Sequence, residues 1–369
     1  METKMTGQER VHAILAGNAT DRSGFWLGNP TDESKEIYYR YFGIREEEED
    51  IPEEYLRASQ VKTNKAGRSD LELNLVVHSD MIWISPELDP STWNHPDRKP
   101  MWDFYGGKER LSLTQPGVFG ECEDVHEVEK FDWPDPAHID FSKTHRNVKE
   151  AKEAGLAVFG GMWMPFFHVA ADFFGMENYF MKMYTNPAVV EAVTEHIIQF
   201  YLDASRMCLD LMADDLDAGF FGNDFGSQLD LLISPEMFDR FLLPYYKRCI
   251  EVIKSYGLPV IVHSCGAIDR VIPRLIDAGI DGLHPLQAKA VGMDAENLSR
   301  KYSKNLVFIG GLDTQELLPF GTVEEIKQEV KRLRKVFGPR FILSPSHEAL
   351  LPNVSPEKVV AMSEAACEL

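Results

Sequence analysis

The sequence has few cysteines, a deficit of basic residues and no long apolar run. Its five cysteines among 369 residues show neither zinc-finger spacing nor a disulfide framework, which indicates a reducing compartment. Lys and Arg number 38 against 59 Asp and Glu, and the net charge of -21 argues against nucleic acid or an anionic membrane as the main partner. No apolar run approaches the roughly 18 residues of a transmembrane helix. The polar start from Met1 to Arg10 predicts no signal peptide. We therefore predict a cytoplasmic protein.

The sequence also lacks a Gly-x-Gly-x-x-Gly motif after its first predicted strand, which disfavours a doubly wound dinucleotide-binding fold. Short apolar segments instead alternate with helical patterns, which is typical of βαβ units and a parallel sheet. Strands are predicted at 23–27, 76–84, 156–161, 217–221, 259–263, 282–286, 305–311 and 340–343. Helices are predicted at 6–17, with a capping box from Thr6 and Glu9, and at 147–154, 187–212, 235–256, 270–278 and 323–337. This pattern predicts a (β/α)8 barrel.

We expect residues 1–369 to form one barrel domain with an irregular insertion at about 86–136. That segment is rich in Pro, Trp and Asp and holds only short apolar pieces, which favours an inserted loop or hairpin region over a separate domain. The acidic run 46–50 is predicted to be a solvated loop or helix start.

The most informative segment runs from Pro259 to Gly266. Four apolar or β-branched residues predict a buried strand, and His263 and Cys265 follow where that strand must end. Side chains two residues apart share one face of a strand, so the imidazole and the thiol point into the same cavity. This pair suits Zn²⁺, although a core His beside a buried Cys is an equally acceptable interpretation of the two residues alone.

In a barrel the carboxyl ends of all strands meet at the face that carries the active site. Polar or aromatic residues follow several of the predicted strands, namely Trp163, Asn223, Asp224, His263, Cys265, His284, Gln287, Asp313 and His347. Each has an ordinary explanation: Asp224 and Asp313 are possible helix caps, and His284 is a possible core residue. Their convergence on one face predicts a functional site.

Several segments resemble the uroporphyrinogen decarboxylase superfamily over about residues 150–362. They are Asn223–Gln228, Leu232–Phe238, Pro244–Lys247, His263–Gly266, Leu283–Gln287, Gly292–Asp294 and Gly310–Asp313. The resemblance implies a (β/α)8 barrel, as the strand pattern does.

The superfamily holds two chemistries, which differ in residues that this sequence can be checked for. Its decarboxylases carry an Arg-Gln-Ala-Gly-Arg segment after the first strand, where arginines hold substrate carboxylates. Here that place reads Trp26-Leu-Gly-Asn-Pro-Thr31 and has no Arg. Buried carboxylates without such charges would be unpaired and costly. The zinc- and corrinoid-dependent methyltransferases carry His-x-Cys and a later Cys. His263 and Cys265 match the first two, and His347 stands at the later position.

The resemblance therefore implies a methyltransferase with Zn²⁺ held by His263, Cys265 and His347. The methyl carrier would be a corrinoid such as methylcobalamin on a partner protein, since this chain shows no second domain to hold it. A His in place of a Cys makes the zinc more electropositive, which favours polarising a methyl donor such as an aryl methyl ether or methylamine over activating a thiol acceptor.

Roles for the remaining residues follow from the same resemblance. Asp224 is expected to orient the substrate or complete the metal shell, with His284 also in a catalytic role. Trp163 and Phe166 would wall the pocket unless they pack in the core, and Asn223 and Gln287 would contact the substrate.

Two other functions remain open on the sequence. The first is decarboxylation of a porphyrinogen-like acid, with Asp80 and His347 as the polar groups. The second is a metal-free binding protein built on an enzyme fold. The sequence leaves the methyl donor, the acceptor, the direction of transfer and the oligomeric state open.

Overall fold

The computed structural model describes residues 4–45, 67–86, 88, 92–112, 115–347 and 349–368. The acidic run 46–50 lies outside these ranges. No helix in the described ranges is long and apolar enough to cross a membrane.

Eight parallel strands surround a common axis in the order β1-β8-β7-β6-β5-β4-β3-β2. The strands are β1 Gly24–Phe25, β2 Met81–Ile84, β3 Ala157–Gly160, β4 Ala218–Gly222, β5 Val260–His263, β6 Gly282–His284, β7 Val307–Leu312 and β8 Phe341–Pro345. Seven neighbouring pairs are joined by parallel ladders. This is the predicted (β/α)8 barrel.

Helices cover the outside of the sheet. They are Gly7–Leu15, Asp32–Phe42, Arg68–Val76, Val125–Glu129, Ser142–Glu153, Phe166–Phe174, Met176–Thr185, Pro187–Met212, Pro235–Phe241, Leu243–Ser255, Ile272–Ala278, Ala295–Tyr302, Leu317–Phe320, Val323–Phe337 and Pro356–Cys367. The predicted capping box of the first helix is present, because Thr6 and Glu9 each accept a hydrogen bond from the other's backbone N–H.

The strands alternate inward and outward side chains, which separates two apolar clusters. The inner cluster fills the barrel with residues such as Phe159, Phe220 and Ile309, and the first helix adds Val11 and Ile14 at the amino end. The outer cluster packs the helices against the sheet. The first helix therefore closes the amino end of the barrel.

Two predicted elements differ from the structure. Residues 76–84 were expected to form one strand, but the helix Arg68–Val76 occupies the start and only Met81–Ile84 is extended. The change of direction occurs at His78, whose φ is 58°. The predicted helix 235–256 is two helices that break at Leu242, because Pro244 begins a new helix and cannot continue the old one.

The insertion at 86–136 is irregular, as expected. Its described residues hold the helix Val125–Glu129 and one isolated antiparallel bridge between Trp93 and Ile139. No hairpin is present among these described residues.

Candidate metal centre

Three potential metal ligands converge where β4 and β5 end. Asp224 follows β4, and His263 and Cys265 stand at and just beyond the end of β5. One ligand atom from each lies within 4.8 Å of the other two, the single such group of three or more His, Cys, Asp or Glu in the described part of the chain. The predicted inward direction of His263 and Cys265 is therefore confirmed.

The spacing of these atoms suits a tetrahedral ion. His263 Nε2 lies 3.6 Å from Cys265 Sγ and 3.2 Å from Asp224 Oδ1. A tetrahedral zinc with bonds of about 2.0 Å to nitrogen, about 2.1 Å to oxygen and about 2.3 Å to sulfur separates N and S ligands by about 3.5 Å, and N and O ligands by about 3.4 Å. A nitrogen, a thiol and a carboxylate form a donor set that zinc accepts. The residues present therefore fit the metal.

The Asp224 carboxylate is fixed from two sides. Burial favours the neutral acid, but the hydrogen bond and positive charge of His263 and the backbone N–H of Cys265 outweigh it and lower the pKa of Asp224. That N–H donates to Asp224 Oδ1 over 2.7 Å. The side chain is thus an anion at neutral pH and is held against the other two potential ligands.

A second imidazole supports the first from within the barrel. His284 Nδ1 lies 2.9 Å from His263 Nδ1, and His284 is fully buried against the indole of Trp26. Burial, together with the positive charge of the neighbouring imidazoles of His263 and His347, lowers the pKa of His284 well below its usual range. When His263 offers its Nε2 lone pair to a metal, its Nδ1–H donates to neutral His284, which fixes the tautomer.

Two predicted substrate-binding residues hold the loops of the site in place. Asn223 Oδ1 accepts the backbone N–H of Phe167, and Asn223 Nδ2 donates to Met164 O. Gln287 Oε1 accepts the backbone N–H of Gly266 over 2.7 Å. Both side chains stabilise the backbone beside the candidate metal ligands, and contact with a substrate stays a prediction for them.

The two aromatic residues predicted to line the pocket, Trp163 and Phe166, lie in different environments. The Trp163 ring lies 5.5 Å from the His263 ring in an edge-to-face arrangement and contacts Trp83 at 5.0 Å. Phe166 is buried and packs on Tyr245 and Tyr246. Trp163 therefore lies beside the candidate metal ligands, and its role as a pocket wall stays a prediction, whereas Phe166 belongs to the core.

His347 follows β8 on the same face of the barrel but is not in the group of three. Its Nδ1 accepts the backbone N–H of Ala349 over 3.1 Å. It is close enough to His284 to lower the pKa of that imidazole. Its role as a zinc ligand stays a prediction.

Asp80 lies apart from the other predicted site residues. It precedes β2 and therefore stands at the amino end of the barrel, where it is 1% exposed. Both Arg10 and Arg22 donate to its carboxylate, as does the backbone N–H of Phe25 over 2.9 Å. The structure thus places Asp80 between β1 and β2 at the amino end of the barrel, away from the candidate metal ligands.

One contributor was not singled out from the sequence. His168 Nε2 accepts the backbone N–H of Asp224 over 2.9 Å, and burial lowers the pKa of His168, so it remains a neutral acceptor. It belongs to the segment that follows β3, and that position after a strand was the only signal for it.

Comparison with known proteins agrees with this architecture. Residues 110–369 match the family described as uroporphyrinogen decarboxylase (URO-D). Over 181 residues the chain is 22% identical to the methylcobamide:CoM methyltransferase MtbA of Methanosarcina acetivorans, covering 49% of this chain and 50% of that protein. Over 187 residues it is 28% identical to a uroporphyrinogen decarboxylase of Geobacter sp. (strain M21), covering 49% of each.

A third relative is a methylated-thiol–coenzyme M methyltransferase of Methanosarcina mazei, 27% identical over 165 residues, or 43% of this chain and 40% of that protein. The chain spans about half the length of the curated relatives it matches. A solved structure described as a methyltransferase from Methanosarcina mazei superposes with a TM-score of 0.60 over 98% of both chains at 16% identity, which shows the shared fold. Because the family match covers well over half of the sequence, this chain belongs to the uroporphyrinogen decarboxylase family.

Proposed function

We propose that this chain is a zinc-dependent methyltransferase that acts with a corrinoid protein. The observation that carries the proposal is the group formed by Asp224, His263 and Cys265, in which the distances from His263 Nε2 to the other two donor atoms are close to those between tetrahedral zinc ligands. The names of two relatives, a methylcobamide:CoM methyltransferase and a methylated-thiol–coenzyme M methyltransferase, describe methyl transfer and are consistent with it.

In this proposal the chain's own residues hold the metal and keep one position open. His263 contributes Nε2, Cys265 its thiolate and Asp224 a carboxylate oxygen, while His284 fixes the orientation of the His263 ring. A zinc ion held there lowers the pKa of a thiol that it binds and acts as a Lewis acid toward a donor heteroatom. The Trp163 ring packs edge-to-face against the His263 imidazole on one side of the site.

The charge of the third ligand separates the two directions of transfer. With Asp224 as the third ligand, one imidazole and two anions balance the metal charge, so a thiol substrate stays strongly nucleophilic. With His347 instead, the site carries one more positive charge and favours polarising a methyl donor. The position of Asp224 beside His263 supports the first arrangement, and we therefore propose a thiol as the methyl acceptor.

Metal analysis is the direct test. Protein purified without chelator should contain about one zinc per chain, and Cys265→Ala should lose most of it because two protein ligands rarely retain zinc. Cys367→Ala serves as the matched control, since Cys367 is a free cysteine at the end of the last helix. Stoichiometric zinc in a variant lacking both His263 and Cys265 would overturn the proposal.

A further inference from the structure

The hydrogen bonds between β4 and β5 give out just before the candidate metal ligands. At the end of β4, Asn223 N–H still donates to a backbone oxygen of the neighbouring strand, His263 O, over 3.1 Å. The next backbone N–H, that of Asp224, lies beyond the strand pair and needs an acceptor from elsewhere. His168 supplies it, because its Nε2 accepts this N–H over 2.9 Å. One imidazole thus holds the backbone of a residue that belongs to the group of three potential ligands.

A second link between the same two loops fixes where His168 stands. His168 is the third residue of the helix Phe166–Phe174, which follows β3. At the start of that helix, Asn223 Oδ1 accepts the backbone N–H of Phe167 over 2.9 Å. The adjacent residues Asn223 and Asp224 are therefore joined to the helix in both directions, once by a side chain of the loop after β4 and once by a side chain of the helix. Two such bonds between neighbouring residues restrict both loops together.

The contact also determines what the imidazole of His168 can do. A ring nitrogen that accepts an N–H carries no proton, so the proton of this imidazole lies on Nδ1. The lone pair of Nε2 is used by the Asp224 backbone and is not offered to a metal. In agreement with this, the group of three potential ligands contains Asp224 and does not contain His168. The ring stands behind a potential ligand and is not one itself.

We propose that His168 is a positioning residue, which holds the Asp224 backbone so that the carboxylate stays beside His263 and Cys265, ready to bind a metal ion. This inference rests on the proposed zinc site with Asp224 as the third ligand. The carboxylate is already held from the other side, since Cys265 N–H donates to Asp224 Oδ1 over 2.7 Å. With its N–H and its Oδ1 both bonded, Asp224 is oriented before the ion arrives. A ligand that is oriented in advance binds a metal more tightly than one that must rearrange.

Three substitutions of His168 in the whole chain test the role, with zinc affinity measured by competition with a chromophoric chelator. His168→Leu removes the acceptor, and His168→Asn keeps an amide that is too short to reach the Asp224 N–H. Each should lower the zinc affinity about tenfold, the loss expected for a residue that supports a metal ligand. His168→Gln brings the same amide to the position of Nε2 and should stay within about threefold of the unsubstituted protein, because the hydrogen bond is restored. His145→Leu is the matched control and should leave the affinity unchanged, since His145 Nε2 lies 3.5 Å from Asp215, which precedes β4 at the amino end of the barrel.

A double substitution shows whether His168 acts through Asp224. In a chain that carries Asp224→Asn, His168→Asn should lower the zinc affinity by less than about threefold, because the anionic ligand that His168 positions is already absent. Thermal unfolding confirms that each variant compared is folded. If His168→Asn leaves the zinc affinity of the otherwise unsubstituted chain unchanged, or lowers it equally with and without Asp224→Asn, the inference fails while the proposed zinc site stands. Absence of zinc binding by the unsubstituted protein would overturn both.

Discussion

Single side chains determine which chemistry the mouth of this barrel supports. His263 and Cys265 are common to every arrangement of the metal, and the third ligand sets the charge. Asp224 Oδ1 lies 3.2 Å from His263 Nε2, whereas His347 stands outside the group of three. A carboxylate lowers the positive charge of the centre, and an imidazole leaves it unchanged, so the identity of this one residue separates thiol activation from donor polarisation.

Substituting the two candidates in turn tests this choice. Asp224→Asn should lower the zinc affinity more than about tenfold, because a neutral amide replaces an anionic ligand. Substitution of a residue that only supports a metal ligand already costs at least about tenfold in affinity. His347→Ala should change zinc affinity less. Competition with a chromophoric chelator measures both. Asp230→Asn is the matched control, since Asp230 is in the same loop but pairs with Arg270 at the surface.

The opposite ranking would reverse the conclusion. If His347→Ala loses zinc and Asp224→Asn keeps it, His347 is the third ligand, and polarisation of a methyl donor becomes the better proposal.

The sequence was sufficient to place His263 and Cys265, because period-two alternation at a strand end fixes the direction of both side chains. It could not rank Asp224 against His347, since that depends on how close two loops approach one another. The sequence also suggested Asp80 as a site residue, but its carboxylate pairs with Arg10 and Arg22 at the amino end of the barrel. The helix-cap explanation is correct for Asp313, which accepts the N–H groups of residues 315, 316 and 317.

The candidate metal ligands lie on two loops that contact each other through glycines. The loop after β5 passes the loop after β4 so closely that a Cβ on Gly266 would lie 2.3 Å from Gly226 O. Gly266 also has φ of 88°, a conformation that L side chains rarely adopt. This contact holds Cys265 against Asp224, since Cys265 N–H donates to Asp224 Oδ1.

Gly266→Ala should therefore lower the free energy of unfolding by more than about 2 kcal/mol, the upper cost of the left-handed conformation alone, because the backbone clash adds to it. The variant should also bind zinc more weakly. Gly257→Ala is a matched control, because Gly257 has φ of 78° with nothing within 4 Å of the added Cβ. Chemical denaturation of both variants measures the difference. Equal losses of unfolding free energy in the two variants would show that the contact between the loops does not contribute to stability.

Helices and strands could be predicted from the sequence where one physical signal, such as a helix start, was clear. The helices Pro187–Met212 and Val323–Phe337 begin and end at the predicted residues, since a proline starts the first and a capping box starts the second. The strand predicted from residue 76 failed because a helix and an extended segment share the same apolar composition there. Only the turn at His78, which tertiary packing selects, separates them.

The whole barrel also limits which substrates fit. The described segment after β1, from Trp26 to Thr31, offers no guanidinium to the mouth, and Arg10 and Arg22 are committed to Asp80 at the other end. A tetrapyrrole with several carboxylates would therefore find no charge partner in this described segment. The fold alone is shared by both chemistries of the family, so substrate class rests on these charges.

The protein should therefore not convert uroporphyrinogen to coproporphyrinogen. The measurement is chromatographic separation of the oxidised porphyrins after anaerobic incubation, with an authentic decarboxylase as the positive control. Product formed at a turnover of order 1 s⁻¹ or more, ordinary for an enzyme, would show that the decarboxylase interpretation is correct.

Methyl transfer itself is the remaining prediction for the intact molecule. In the proposed function the chain supplies the candidate metal ligands and obtains the methyl group from a corrinoid, and a centre with Asp224 as ligand favours a thiol as acceptor. Zinc-loaded protein should demethylate methylcobalamin in the presence of a small thiol, followed by the absorbance change of the corrinoid. Cys265→Ala should abolish the reaction, and Cys367→Ala should leave it unchanged. Methylation of a reduced corrinoid protein by an aryl methyl ether or a methylamine, with no transfer to thiols, would instead assign the donor side of the reaction to this site.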